Sequence, residues 1–330
     1  MMRVLITGGA GFVGRRFCKI FLEKGYDVVC VDNLMKECGG KHPQEGWYQF
    51  NPLDFHNFVF YQEDCRNFFV QCANEYFDEV YHLAAVVGGR MMIEKNPLAI
   101  AEDLSIDSAY WQWAKQNKIP KTIYFSSSAA YPIKLQEKDN FRLLKEDDIN
   151  FSQTIGVPDL TYGWAKLTGE FLAHLAYERH DLKSVIYRPF SGYGEDQDWS
   201  YPVPSLCLRA LELQNKQQKL FKVWGSGYQM RDFIHIDDCV RGILITKDKI
   251  NNGRAINLST GILTSFVHFS KVVIKLLGYH DPIISGMSEM PEGVFARGGD
   301  VALQKELGFS PSINLEEGIG RILLYFKNML

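Results

Sequence analysis

Short apolar, β-branched runs alternate with amphipathic stretches along the first half of the chain. The runs Val4–Ile6, Val28–Val31, Phe58–Gln62, Glu79–Leu83, Thr122–Ser126 and Ser184–Tyr187 predict strands. Val, Ile, Tyr and Phe in short blocks between turn residues suit a pleated, buried surface. Helical spacing of apolar positions predicts helices over Val13–Lys24, Cys65–Glu75, Leu98–Asn117 and Tyr162–His180.

Strand, helix, strand in repetition specifies a parallel sheet with helices on both faces. Right-handed crossovers make such a sheet doubly wound, the Rossmann arrangement that binds dinucleotides. Beyond Arg188-Pro189 the pattern loosens into shorter elements rich in Gly, Pro and aromatics. The expected class is α/β. Residues 1–188 plus about 232–264 would form the Rossmann domain, and about 189–231 plus 265–330 a smaller, discontinuous α/β substrate lobe.

Composition narrows the partners. With 46% hydrophobic and 23% charged residues the chain is ordinary for a globular protein. A net charge of -3 and scattered basic residues leave no stripe to track nucleic acid, so none is expected as a partner. No apolar run reaches the ~18 residues of a membrane span. A strand stands at the very start with no signal peptide ahead of it, which predicts a cytoplasmic protein. The seven cysteines show no C-x-x-C spacing, so reduced thiols are expected and no metal.

Two motifs carry the chemistry. The first strand runs into Gly8-Gly9-Ala10-Gly11-Phe12-Val13-Gly14, which opens a helix. Glycines there admit a pyrophosphate to the backbone, and the helix start at Phe12 and Val13 supplies free N–H groups and partial positive charge. Asp32, followed by Asn33, ends the second strand. A carboxylate at that place accepts from a ribose and repels a 2′-phosphate, which predicts NAD rather than NADP. Asp64-Cys65 after the third strand is a candidate adenine contact. The second motif is Tyr162 with Lys166 four residues on, a pair sharing one helix face. The ammonium is expected to pull the phenol below its usual pKa of ~10 and make it a general base for a sugar hydroxyl. Ser126-Ser127-Ser128 close a strand at the sheet's carboxyl edge, where a serine can hydrogen-bond the same hydroxyl.

The chain resembles the extended short-chain dehydrogenases/reductases, whose members act on nucleotide sugars. The glycine loop, His82-Leu83-Ala84-Ala85, Ser127, Tyr162 with Lys166, Arg188-Pro189 and Arg231-Asp232-Phe233-Ile234-His235-Ile236-Asp237-Asp238 carry the resemblance. It continues through Arg297 and Asp300, Leu307-Gly308-Phe309-Ser310-Pro311 and Leu315-Glu316-Glu317-Gly318, and so spans residues 3 to 320. It implies Ser127, Tyr162 and Lys166 as the catalytic set, with Lys166 also on the nicotinamide ribose. Leu83, Ala84 and Ala85 would line the cofactor, and Arg231 and Arg297 would grip the sugar-nucleotide phosphates. It further implies a homodimer in which Leu98–Asn117 and Tyr162–His180 pair as a four-helix bundle.

Branches of this family diverge after hydride transfer. Dehydratases carry an Asp-Glu pair where this chain has Ser128 and Ala129, and a methyl group cannot protonate a leaving hydroxyl. Epimerases at C3 and C5 pair a cysteine with a His or Lys, and the corresponding places here are Ala129 and Ser200. Redox at C4 remains: a dehydrogenase that releases ketosugar, or a 4-epimerase that returns the hydride to the other face. The loop from His82 to Arg90 is similar to that of GDP-fucose synthases and GDP-mannose 3,5-epimerases. Gly89 leaves room beside the sugar and Arg90 can reach hydroxyls or phosphate. This favours a GDP-linked hexose or heptose of polysaccharide biosynthesis over a UDP-sugar. Ser191 stands where many members have a substrate-contacting Asn, which weakens a galactose-type 4-epimerase. A non-catalytic NAD-binding protein on the same fold is the reading from a different class. The intact trio of Ser127, Tyr162 and Lys166 argues against it.

Overall fold

The computed structural model describes residues 2–88, 90–279 and 282–329. Its first strands are β1 (Arg3–Thr7), β2 (Asp27–Asp32), β3 (Phe58–Gln62), β4 (Glu79–His82), β5 (Thr122–Phe125), β6 (Ser184–Pro189) and β7 (Ser191–Tyr193). There follow β8 (Leu220–Trp224), β9 (Met230–His235), β10 (Asn252–Leu258), β11 (Leu263–Ser265), β12 (Ile283–Met287) and β13 (Ala296–Arg297). The helices begin with α1 (Phe12–Glu23), α2 (Cys65–Gln71), α3 (Arg90–Lys95), α4 (Pro97–Ile100), α5 (Glu102–Gln116) and α6 (Leu160–His180). They continue with α7 (Pro202–Asn215), α8 (Ile236–Thr246), α9 (Phe266–Leu276), α10 (Ala302–Glu306) and α11 (Leu315–Met329).

Among the described residues seven strands form one parallel sheet in the order β10-β6-β5-β4-β1-β2-β3. The strand order reverses between β1 and β4, so their carboxyl ends flank the crevice where doubly wound sheets take ligands. Side-chain alternation builds the layers. Val4, Ile6, Val28 and Cys30 point into a core with Phe17, Phe21 and α8, while Leu5, Val29 and Val31 join Phe68, Trp113 and Tyr110 on the other face. Each fully buried chain of this size contributes about 1.5–3 kcal/mol.

The expected strands and helices lie in this sheet with small shifts at their ends. The stretch Leu98–Asn117 is two helices, because the Ala101 N–H bonds back to both Pro97 and Leu98 and tightens the turn there. The helix expected to reach Glu75 ends at Gln71, and the Cys72 carbonyl instead accepts from the Trp113 indole at 3.2 Å. Strand β10 is absent from the periodicity: Gly253, at φ +68°, and Arg254 interrupt its apolar run, and its pairing with β6 shifts register there.

Beyond β6, strand β9 pairs with β7, β11 and β13, and β8 pairs with β12. Helices α7, α9 and α11 close over these strands with their own core around Phe221, Phe233, Phe269 and Ile322. The boundary expected near 232 falls inside β9, which runs directly into α8. That helix packs Cys239, Val240 and Ile243 against the α1 side of the large sheet. No helix among the described residues is long and apolar enough to cross a membrane.

Candidate active site

The turn after β1 is built by close approach. Gly8 has φ +69°, and a Cβ on it would stand 2.8 Å from the Ala84 nitrogen; one on Gly14 would stand 2.5 Å from the Gly8 carbonyl oxygen. Helix α1 then starts at Phe12 with no side-chain cap and no acid in its first turn. Its free N–H groups and positive end face a cavity of about 420 Å³. Gly8, Gly11, Phe12, Val13, Gly14, Asp32, Asn33, Asp64, Cys65, Leu83, Ala84, Ala85, Tyr162 and Lys166 all line it.

These residues fit a dinucleotide. A side chain at Gly8 or Gly14 would collide with the backbone of Leu83 and Ala84 or of the turn itself, so the glycines let the turn close, and the uncapped helix end suits a pyrophosphate. Asp32 accepts from the Ala10 N–H at 3.0 Å and the Leu34 N–H at 2.8 Å, which aims its carboxylate at the cavity rim. Burial pushes its pKa up while those amides pull it back. NAD is expected to bind at least ~10-fold tighter than NADP, with Asp32→Ser closing the gap in a calorimetric titration. Asp64 is already engaged: it caps α2 through the Arg66 N–H and pairs with the Arg66 guanidinium at 2.6 Å. What it and Cys65 offer an adenine is a wall rather than a free carboxylate.

Helix α6 is brought against the serine turn by Gly163, whose Cβ would stand 2.4 Å from the Ala129 carbonyl oxygen. That contact sets Tyr162 and Ser127 in the same cavity wall. The Ser127 hydroxyl accepts from the Ala129 N–H at 3.1 Å, which leaves its own proton to donate. Lys166 is buried, with Nζ 5.9 Å from the Tyr162 ring centre and 5.6 Å from that of Tyr124. Ser128 and Ser191 line the same cavity.

The electrostatics correct one expectation. Tyr162 sits above its usual pKa, because burial outweighs the opposing pull of Lys166 and of the Ser127 hydroxyl. Burial would also strip Lys166 of its proton, but Asp103 and Asp107 hold it charged and leave its pKa raised. Asp103, pushed up to about 6 by burial, accepts from the Val86 N–H. Asp107 accepts from Tyr124 at 2.6 Å and lies 3.1 Å from His82, whose other ring nitrogen meets Thr7 at 2.8 Å. An i, i+4 ammonium alone therefore does not bring the phenol below its ordinary pKa in this pocket.

A second compartment of about 270 Å³ shares Ser127, Tyr162, Arg231 and Arg297 with the first. Arg90 and Arg297 both pair with Asp159, at 3.1 and 2.7 Å. Arg231 instead donates to the carbonyls of Met230, Val294 and Glu292, and no carboxylate pairs with it among the described residues. Burial and repulsion from Arg297 bring its pKa down to about 9. Arg90, Arg231 and Arg297 outnumber Asp159 and Glu94, the carboxylates that pair with them, and leave net positive charge suited to phosphate. Gly89 lies outside the described residues.

Several lining residues carry no motif signal in the sequence, among them Asp159, Arg209, Trp224 and Tyr201. Arg209 and Trp224 stand in the smaller compartment, and the Arg209 Nε is buried with no hydrogen-bond partner among the described residues. Tyr201 lines the larger cavity, whereas Ser200, at the place of the second acid–base group of C3 and C5 epimerases, lines the smaller one. An aromatic hydroxyl directly before Pro202 at a helix start was the available signal.

Comparison with known proteins agrees with this architecture. Residues 4–259 match the NAD dependent epimerase/dehydratase family, and the chain belongs to it, with NAD as its cofactor. An uncharacterized UDP-glucose epimerase of Bacillus subtilis is 26% identical over 99% of both chains. GDP-mannose 3,5-epimerase of Arabidopsis thaliana is 27% identical over 100% of this chain and 83% of its own. Among solved structures, a mutant UDP-glucuronic acid 4-epimerase of Bacillus cereus, bound to a fluorinated UDP-glucuronic acid and NAD, superposes with TM-score 0.84. It is 27% identical over 100% of both chains.

Proposed function

We propose that the protein is an NAD-dependent oxidoreductase acting at C4 of a nucleotide sugar, a GDP-linked hexose or heptose of polysaccharide biosynthesis. The observation that carries this reading is the position of Ser127 and Tyr162 on the shared wall of the dinucleotide cavity and the arginine-lined compartment. A sugar whose phosphates sit at Arg90, Arg231 and Arg297 reaches back to that wall. Tyr162 removes the C4 hydroxyl proton, Ser127 donates a hydrogen bond to the same oxygen, and Lys166 stabilises the phenolate. NAD held by the Gly8–Gly14 turn and Asp32 would supply the hydride acceptor for C4.

Arg209 and Trp224 favour a guanine base, since a guanidinium pairs with the O6/N7 edge of guanine and an indole stacks on it. The 4-epimerase is the second reading, supported by the likeness to UDP-sugar 4-epimerases. Incubation with NAD and GDP-mannose, a GDP-linked manno-heptose or UDP-glucose separates the two. Net absorbance at 340 nm with ketosugar by mass spectrometry means a dehydrogenase. A stereoisomer without net NADH means an epimerase, and no change with any of the three rejects both.

Leu98, Leu104, Trp164 and Phe171 stay exposed on α4, α5 and α6, which supports a homodimer joined by a four-helix bundle. A monomeric mass by light scattering refutes the dimer.

A further inference from the structure

Tyr201 begins α7, its N–H on the Asp198 carbonyl at 3.2 Å and its carbonyl accepting from Ser205 at 3.1 Å. Its hydroxyl does not cap the helix and finds no hydrogen-bond partner among the described residues. The ring lines the larger cavity, the one that also holds Tyr162, Ser127 and Ser191. A phenol on a cavity wall that is not tied to another protein group is free to donate to whatever occupies the cavity.

The loop that presents Tyr201 is held in a strained conformation. Asp196 has φ +58°, in the left-handed region that non-glycine residues rarely occupy. It is fixed by two arginines from the first turns of α1: Arg15 at 2.8 Å and Arg16 at 2.9 Å, with the Asp196 side chain 1% exposed. Arg16 also donates to the Glu195 carbonyl at 2.8 Å, and Gln197 to the Gly192 carbonyl at 3.1 Å. The cofactor helix thus positions the loop from the opposite lobe, and Tyr201 faces the reaction cavity as a result. Burial and the proximity of Tyr162 push the Tyr201 pKa well above its ordinary value, so its phenol stays a neutral donor rather than a base.

We propose that Tyr201 donates a hydrogen bond to an oxygen of the sugar ring held beside Tyr162, and that it sets which sugar the site accepts. The inference rests on the nucleotide-sugar reading above and names the residue that recognises the sugar half. It is a specificity contact made across the cavity from the base.

The test compares sugar-bearing and sugar-free ligands in the presence of NAD, so that it does not depend on turnover. Calorimetry with GDP, GDP-mannose, UDP and UDP-glucose gives the affinity gained from the sugar. In Tyr201→Phe that gain is expected to shrink roughly five- to ten-fold, the loss of one neutral hydrogen bond. Affinity for the nucleoside diphosphate alone, affinity for NAD and the melting temperature should stay unchanged. An undiminished sugar gain overturns the proposal, as does a weakened NAD affinity with the sugar gain intact, which places the phenol on the cofactor. If the wild-type protein binds none of the four ligands, the nucleotide-sugar reading itself fails.

Discussion

Tyr162→Phe lowers turnover by about 10²–10⁴-fold, the range supplied by one positioned general base. The phenylalanine keeps the ring in place between Ser127 and Lys166, so affinity for NAD should hold within about two-fold. Single-turnover hydride transfer beside an NAD titration checks both halves. The companion change, Lys166→Met, tests the electrostatics. Lys166 pulls the Tyr162 pKa down against burial, so removing it moves that pKa up. The base must be ionised to act, and the rising limb of the pH–rate profile therefore shifts to higher pH. A profile that stays in place, or moves to lower pH, would contradict the assignment of Tyr162 as the ionising group.

The largest stability effect is expected at Arg188→Ala. Arg188 donates to both oxygens of Glu170, at 2.6 and 2.9 Å, and to the Tyr131 hydroxyl and the Glu146 carbonyl, each at 2.9 Å. The paired side chains are 3% and 0% exposed, so the truncation leaves a buried carboxylate without its guanidinium partner. That costs about 3–5 kcal/mol, whereas apolar replacement of both partners is often neutral. Arg188→Met with Glu170→Leu should therefore recover most of the urea midpoint lost in the single variant. Glu170 also accepts from Ser126, beside Ser127, and it adds to the field around Lys166. The single variant should accordingly lose activity as well as stability.

Much of the scaffold was legible because its signals are local. A β-branched run between turn residues marks β1 or β5 wherever it lies, and a glycine loop between a strand and a helix specifies its own geometry. The same locality explains the omissions. Strand β10 buries Ala255, Ile256 and Leu258 beside β6, but Gly253 and Arg254 hide it from any count of period. Tyr201 and Arg209 come from the start and the body of α7 and Trp224 from the end of β8, and Arg209 and Trp224 share a cavity wall only after α7 and β8 pack.

Tyr162 and Lys166 mark the division most clearly. Their four-residue spacing places both groups on one helix face, since the pitch of a helix is set by the backbone alone. The sequence by itself thus determined the parallel α/β framework, the dinucleotide cradle and the two residues beside it. Whether the phenol is acidic was decided by tertiary structure. Its pKa depends on how deeply the ring is buried and on Asp103 and Asp107 from α5, whose charges act through space with no regard for chain order.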